Sequence, residues 1–510
     1  MSELFTHAAF AEQAGANPCS VIRRLRGRGQ WKRWLALIED VPLSTGLLYY
    51  AANQGLLSWV ESMACEGVYV SDATLHELGA EAVMEAGMRR NSGALELLLQ
   101  HFPYNESCAT FRSLPLPQVL VWTSDVMLLQ TFLLQAGKRP NASPPNTQHG
   151  GTTSVPGLNQ QDLDGQTALH VAVARRDTVM ASEILRYHPD MLLGDRLNQT
   201  ALHMACSNET VSDWRCFATW PEWWKRAAPS ESIRKVATRS SMVELLLVNG
   251  ASVKAKTSTG RTPLHTVCEM IPEPRHSESV TSDCFRGDPE ADIITLLLQH
   301  GADVNAQSVF GQTPLHIACG VAGGGRPPLT HTLAVVKRLL DAGANPNARD
   351  AANKTPLHYA TANSSDRDIV AELLHRGADI MAPSRSGKVA LHYAAELPYP
   401  DVVSELLAHP NQIVDQPDNK GRTPLHILCD FTAVNHEIHL EGHLPVMRQL
   451  LNRGAQVHSV KDRSGSSPFD VAATHGVGIV IDLLKELGGD PPPKATSWAT
   501  LMDMVGNLVW

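Results

Sequence analysis

Seven histidines occupy one place in a recurring nine-residue motif. It reads GQTALHVAV at 165–173, NQTALHMAC at 198–206, GRTPLHTVC at 260–268 and GQTPLHIAC at 311–319. It continues as NKTPLHYAT at 353–361, GKVALHYAA at 387–395 and GRTPLHILC at 421–429. An imidazole can act as a base or bind a metal near neutral pH. However, His170, His203, His265, His316, His358, His392 and His426 are separated by 33, 62, 51, 42, 34 and 34 residues, the differences of those numbers. Each therefore belongs to its own structural unit, and no cluster of ligands follows. An imidazole offers one acceptor and one donor to the polar groups of a helix start, so a bond to the motif Thr and nearby backbone is the expected role. Cys206, Cys268, Cys319 and Cys429 each lie three residues after a motif His. They have no CxxC spacing and are expected to be small buried helix residues.

Other segments invite chemistry of their own. NHEIHLEGH (435–443) carries His436, His439 and His443 with Glu437 and Glu441. On a helix the three imidazoles would share a face, but the HExxH order is absent; a solvated polar loop is the default and no metal is assigned. DWRCFATWPEWWKRAAPSES (213–232) gathers Trp214, Trp220, Trp223 and Trp224 beside Arg215, Lys225 and Arg226. Three readings stay open for these rings: a mini-core folded onto the second-helix surface, an exposed anchor for a partner, or a membrane-interface contact. RRLRGRGQWKR (23–33) is read first as a solvated capping face and second as a nuclear-import signal or anion patch. GVAGGGRPP (320–328) lacks the GKS or GKT ending of a phosphate loop. No GxSxG, Rossmann fingerprint, kinase set or CxxC pair occurs.

The elements that must position these residues follow from the repetition. The chain has 510 residues, 43% hydrophobic and 19% charged, with a net charge of −9. That composition folds, and its acidic balance disfavours nucleic acid as a global partner. No run reaches the roughly 20 apolar residues that span a bilayer, and MSELFTHAAFAEQAGANPCS lacks a signal-peptide pattern. Thr262, Thr313, Thr355 and Thr423 suit a helix N-cap, and Pro263, Pro314, Pro356 and Pro424 suit the first helical position. Most motifs are followed by an apolar run and a Gly-containing turn, such as VELLLVNGASV (243–253) and IITLLLQHGADVNA (293–306). Gly250, Gly301, Gly343, Gly377 and Gly454 are placed as left-handed C-caps. GSSPFDVAA at 465–473 is a worn copy with Asp470 in place of the His.

This pattern resembles the ankyrin repeat family, whose unit is about 33 residues of β-turn and two antiparallel helices. The implied fold is all-α: an ankyrin-repeat solenoid of stacked helix pairs with β-hairpin loops, degenerate N-terminal units and enlarged inter-helix loops. Weaker copies precede residue 141, where LYYAANQGLLSWV (48–60) aligns with LHYAAELPYPDVV (391–403). The expected organisation is a capping helical segment at 1–44, degenerate units at 45–141 and a Pro/Gly/Ser/Thr-rich loop at 142–163. The main array then occupies 164–490 and a capping helix 491–510. Three long His–His intervals and the 44 residues from His426 to Asp470 place extra length between the first and second helices of their units, so those loops should share a rim opposite the hairpin tips. Length alone costs such loops little.

The resemblance implies protein recognition through hairpin tips and first helices, by a surface already ordered before binding. The tips include Val309 and Phe310, Arg349 and Asp350, Ser384 and Arg385, and Asp418 to Lys420. The candidate partner-binding residues are Trp214, Trp220, Trp223, Trp224, Phe310, Arg349, Arg385 and Lys420, with Phe310 either presented or tucked onto its own turn. The family also implies that hairpin Asn305 and Asn347 loosely match positions of asparaginyl hydroxylation. The functional expectation is a non-catalytic intracellular protein–protein interaction scaffold or adaptor, cytoplasmic or also nuclear, with no cofactor and no membrane span. The alternatives are a regulatory subunit or substrate adaptor of an enzyme complex, and, ranked last, a metal-binding enzyme using the 436–443 histidines.

Overall fold

The computed structural model describes residues 90–101, 110–111, 114–136, 157–207, 238–269, 289–321, 330–363, 367–434, 440–476 and 478–487, with isolated positions 83, 86, 87 and 155. Two compact units divide between Ser258 and Thr259. In the first unit the helices are α1 (Ser92–His101), α2 (Leu116–Thr123), α3 (Val126–Ala136), α4 (Ala168–Ala174), α5 (Thr178–Leu185), α6 (Ala201–Cys206) and α7 (Arg239–Val248). The second unit holds α8 (Pro263–Glu269), α9 (Pro289–Gln299), α10 (Pro314–Val321), α11 (Thr330–Asp341), α12 (Pro356–Asn363) and α13 (Arg367–His375). It continues with α14 (Ala390–Ala395), α15 (Pro400–Ala408), α16 (Pro424–Val434), α17 (Leu440–Asn452), α18 (Pro468–His475) and α19 (Gly478–Leu487).

Within each unit the packing is that of a stack. First helices touch the next first helix, as α10 touches α12 and α14 touches α16. Second helices touch the next second helix, as α11 touches α13 and α15 touches α17. The second helices bury an i, i+3, i+4 stripe: Val335, Val336, Leu339 and Leu340 in α11, and Val402, Val403, Leu406 and Leu407 in α15. That spacing is one face of a 3.6-residue helix. Each such side chain contributes about 1.5–3 kcal/mol on burial, and neither flank is covered until a neighbour stacks on it. The first helices add Leu264, Val267 and Cys268, or Leu315, Ala318 and Cys319, to the same core.

Local signals end the helices where expected. Pro263, Pro314, Pro356, Pro424 and Pro468 open their helices, where a missing N–H costs nothing. Gly343 closes α11 at φ 87°, and its N–H donates to Leu340 O at 3.0 Å. The extra length in the long repeats lies between first and second helices: residues 207–238 separate α6 from α7, and 270–288 separate α8 from α9. Part of the extra length of the 421–452 repeat is helix rather than loop. α16 has 11 residues and α17 has 13, against 6 and 9 in α14 and α15.

The hairpins are hydrogen-bonded turns more than strands. Among the described residues one two-residue pair, Thr110–Phe111 with Leu114–Pro115, forms an antiparallel ribbon, and Gly194 bridges Thr200. No helix among the described residues is long and apolar enough to cross a membrane.

Candidate interaction surface

Most hairpins of the second unit are closed by a polar side chain turned inward. Asp350 Oδ1 accepts the N–H groups of Ala352 and Lys354, both at 2.8 Å. Asp418 Oδ1 accepts from Lys420 at 2.7 Å and Arg422 at 2.9 Å, and Asp462 Oδ1 from Ser464 and Ser466 at 2.9 Å. These are Asx-type turns, in which the side chain replaces a backbone acceptor. Asp350, Ser384 and Asp418 are accordingly buried. The sequence reading had counted all three among the free tip residues. Asp350 and Asp418 are staples, Ser384 turns its hydroxyl to Ser386 Oγ at 3.0 Å, and their neighbours carry the surface.

The tips are joined into a row by backbone hydrogen bonds. The N–H of Val309 donates to Thr259 O (3.0 Å), Ala351 to Phe310 O (2.9 Å) and Arg385 to Ala352 O (2.8 Å). Asn419 then donates to Ser386 O (3.0 Å) and Arg463 to Lys420 O (2.9 Å). Glycine makes this approach possible: a Cβ on Gly387, whose φ is +77°, would stand 2.6 Å from the Asn419 backbone nitrogen. With the backbone satisfied internally, side chains on the row are left to solvent. Phe310 is 56% exposed and Val309 69%, so Phe310 is presented rather than tucked. Arg385 and Lys420 are exposed. Arg349 is exposed and donates from Nη1 to Pro383 O at 3.2 Å. Trp214, Trp220, Trp223 and Trp224 lie outside the described residues.

Behind the tips, the first helices carry the motif histidines. Each closes its own helix start, and those of the second unit also reach one repeat ahead. The Thr313 N–H donates to His316 Nδ1 at 3.1 Å, the Thr313 hydroxyl lies 2.9 Å from it, and His316 Nε2 meets Lys354 O at 3.1 Å. His265 reaches Gln312 O, His358 reaches Lys388 O, His392 reaches Arg422 O and His426 reaches Ser466 O, at 3.0–3.1 Å. With Nδ1 accepting from an amide and Nε2 facing a carbonyl, the ring is the neutral Nε2–H tautomer. Burial lowers the pKa of His170, His316, His392 and His426, and carries His358 down to about 4 despite its backbone bond. These residues are structural, as their spacing implied, and the forward bond is the part that the motif did not disclose.

A further constellation sits on the same face. Tyr359 packs edge-on against His316 with centroids 5.7 Å apart, and Tyr393 against His358 at 5.4 Å. The Tyr359 hydroxyl donates to Asp350 Oδ2 at 2.7 Å and accepts from Gln312 Nε2 at 2.9 Å. Burial and the bond to Asp350 push its pKa up to about 12. The Lys354 ammonium lies 4.8 Å from the Tyr393 ring centroid and 5.6 Å from that of Tyr359. In the other three copies where this motif position is basic, it pairs with a carboxylate eight residues on: Arg261 with Glu269, Lys388 with Glu396 and Arg422 with Asp430. In the Lys354 repeat that place is Ala362. A search for nearby Lys, Tyr and missing acid across successive motif copies would have found this cradle in the sequence.

The four described thiols are buried. Burial pushes Cys206 and Cys429 up to about 12 and also raises Cys319. His443 departs from the expected polar loop: it lies in α17, is 2% exposed, and its Nε2 stands 3.4 Å from Glu396 O. His436 and His439 lie outside the described residues. Among the described residues no group of three or more His, Cys, Asp or Glu is placed to hold a metal ion. Asn305 and Asn347 are hairpin ties. Asn305 Nδ2 donates to Gly343 O at 3.1 Å and its Oδ1 accepts from Asn345 N at 2.8 Å. Asn347 makes the equivalent pair with Gly377 O and Asp379 N.

Residues 284–384 match the family described as ankyrin repeats in three copies, and residues 420–463 that described as ankyrin repeat. Rabankyrin-5 of Homo sapiens is 29% identical over 168 residues, covering 32% of this chain and 11% of that protein. The B-cell lymphoma 3 protein homolog of Mus musculus is 29% identical over 180 residues, covering 33% of this chain and 35% of that protein. The chain thus matches only a minor part of these relatives' own length.

Proposed function

Because the chain carries an array of ankyrin repeats, we propose that it is a non-catalytic scaffold or adaptor that holds a protein partner on the tip and first-helix face of its second unit. The row of linked hairpins carries this reading. Its backbone demands are met within the row, and Phe310, Arg385 and Lys420 stand exposed on it. A surface ordered in advance loses little chain entropy when it binds. A compartment that keeps thiols reduced suits the buried cysteines Cys206, Cys268, Cys319 and Cys429, so the cytoplasm or nucleus is proposed as its place.

Lysine cross-linking of the full chain in its native cells tests the proposal. Partner cross-links should fall on Lys354, Lys388, Lys420 and Lys461, which lie on the hairpins and first-helix starts. They should be sparse at Lys337 in α11 and Lys485 in α19, which lie on second helices. Cross-links confined to the second helices, or none to any protein, would sink the reading.

A further inference from the structure

We propose that the hairpin-tip row of the second unit is a docking rail for an acidic protein segment that carries an apolar side chain at one end. The inference rests on the interaction reading above and adds the chemistry of the partner.

The row has a fixed order, set by the chain of tip-to-tip hydrogen bonds from Thr259 to Arg463. Along it the exposed side chains change character. Val309 and Phe310 form an apolar end. Ala351 and Ala352 follow, with side chains too short to obstruct a segment lying across them. Arg385, Lys420 and Arg463 then stand exposed on three successive tips. Among the described residues no carboxylate pairs with any of these three.

The asymmetry of charge has a local cause. Each tip of the form Asp-x-x-x-(Lys/Arg/Ser) uses its carboxylate to close its own turn, so Asp350, Asp418 and Asp462 spend their oxygens on backbone N–H groups. The Asp418 carboxyl is held below its usual range by those amides and by Arg422, against the opposing effect of burial. The exposed carboxylates Asp303 and Asp379 sit at the start of their hairpins, where each caps a backbone N–H. The guanidinium and ammonium groups are left outermost. Lys354 adds a cation between two tyrosine rings, without the acidic partner that Lys388 and Arg422 have.

A chain of net charge −9 thus turns a single file of cations outward on one edge. A nucleic acid is the less fitting polyanion. Its phosphates call for a broad basic field, whereas this file is one residue wide, ends in Phe310 and Val309, and is backed by Lys388 and Arg422, which are already paired with their own carboxylates. A peptide that places Asp or Glu along Arg385, Lys420 and Arg463 and an aromatic or aliphatic side chain on Phe310 matches both ends. The carboxylates also set orientation, since reversal would put them on the apolar tip.

The test is selection from a random peptide library displayed on phage, using the immobilised full chain. The expected result is enrichment of sequences with clustered Asp or Glu and an adjacent apolar residue. A selected peptide should lose affinity roughly tenfold or more with the triple variant Arg385→Glu, Lys420→Glu, Arg463→Glu, and weaken with rising salt. Phe310→Ala should weaken it separately, and Lys337→Glu on α11 should leave it unchanged. All five positions are exposed, so unchanged circular dichroism is expected for every variant. Enrichment of peptides without acidic residues, or indifference to the triple variant, overturns the charge assignment while leaving an interaction module in place. Tighter binding of a DNA oligonucleotide with the same dependence on the three cations overturns it in favour of nucleic acid. Selection of no peptide at all overturns it as well, and the native-cell cross-links then decide separately whether the chain is an interaction module.

Discussion

The motif imidazole does two jobs through two nitrogens, and both depend on its staying neutral. Protonation would put a hydrogen on Nδ1, facing the N–H and hydroxyl that it now accepts from. For His358 the surroundings add Lys354 and Arg349, whose charges also disfavour the imidazolium, while Lys388 O favours it. In the unfolded chain the same group titrates near 6.5, and in the folded protein at about 4. Between those values the unfolded state binds more protons, so stability is full above pH 6.5 and is lost as pH falls toward 4. His358 alone contributes roughly 3 kcal/mol across that window. His170, His316, His392 and His426 shift in the same direction. The raised carboxyls of Asp162 and Asp415 act oppositely, at the bottom of the window. Urea midpoints measured from pH 7 down to pH 5 should therefore fall, and a flat or rising profile would contradict the neutral-imidazole account.

At the level of the element, the hairpin separates two uses of glycine that look alike in sequence. Gly343 and Gly387 both have φ above 70°. A Cβ on Gly343 meets nothing within 4 Å, whereas on Gly387 it would overlap the Asn419 backbone of the next hairpin. Gly343→Ala should cost about 1–2 kcal/mol of left-handed strain. Gly387→Ala should cost about 2–4 kcal/mol, because the tip row must also open. Chemical unfolding of the two variants checks the order, and equal losses would mean that the tips are not held together as described. The same contrast explains what was legible in advance. The caps, the prolines at helix starts and the apolar stripes involve residues within four of one another, so their spacing encodes them. The forward bonds of the histidines join residues 29 to 47 apart in sequence, and loop insertions vary that distance from repeat to repeat. The inward turn of Asp350 and Asp418 was misjudged for a related reason: a polar residue on a turn reads as exposed until its acceptors are counted. The exposed cations on either side of them were readable from position alone.

For each unit taken whole, a stack draws its stability from neighbours, so its ends should be weaker than its middle. In the second unit α12 has a first helix on either side, α10 and α14, and it is tied in both directions by His316 and His358. The final motif copy differs in kind. Asp470 closes its own cap, taking the Ser467 N–H at 2.9 Å and hydroxyl at 2.7 Å. A carboxylate has no proton to donate onward, so the forward tie that the motif His of each earlier repeat in this unit makes stops at α18. Its partner helix α19 leaves Ile479 60% exposed. Among the described residues α19 packs on α17 and α18, so local openings there sever contacts on one side, and their free energy falls well below that of global unfolding. Native-state hydrogen exchange should thus show amides of α18 and α19 exchanging faster than those of α12 and α14, with protection rising through α16 and α17. Replacing Asp470 with His restores a donor without adding a neighbouring repeat to α18 and α19, so Asp470→His should leave that gradient in place. Protection in α19 equal to that in α12 would mean that the end of the stack is held by contacts other than the neighbour ties described, and the account of the array as a sum of adjacent repeats would fail there.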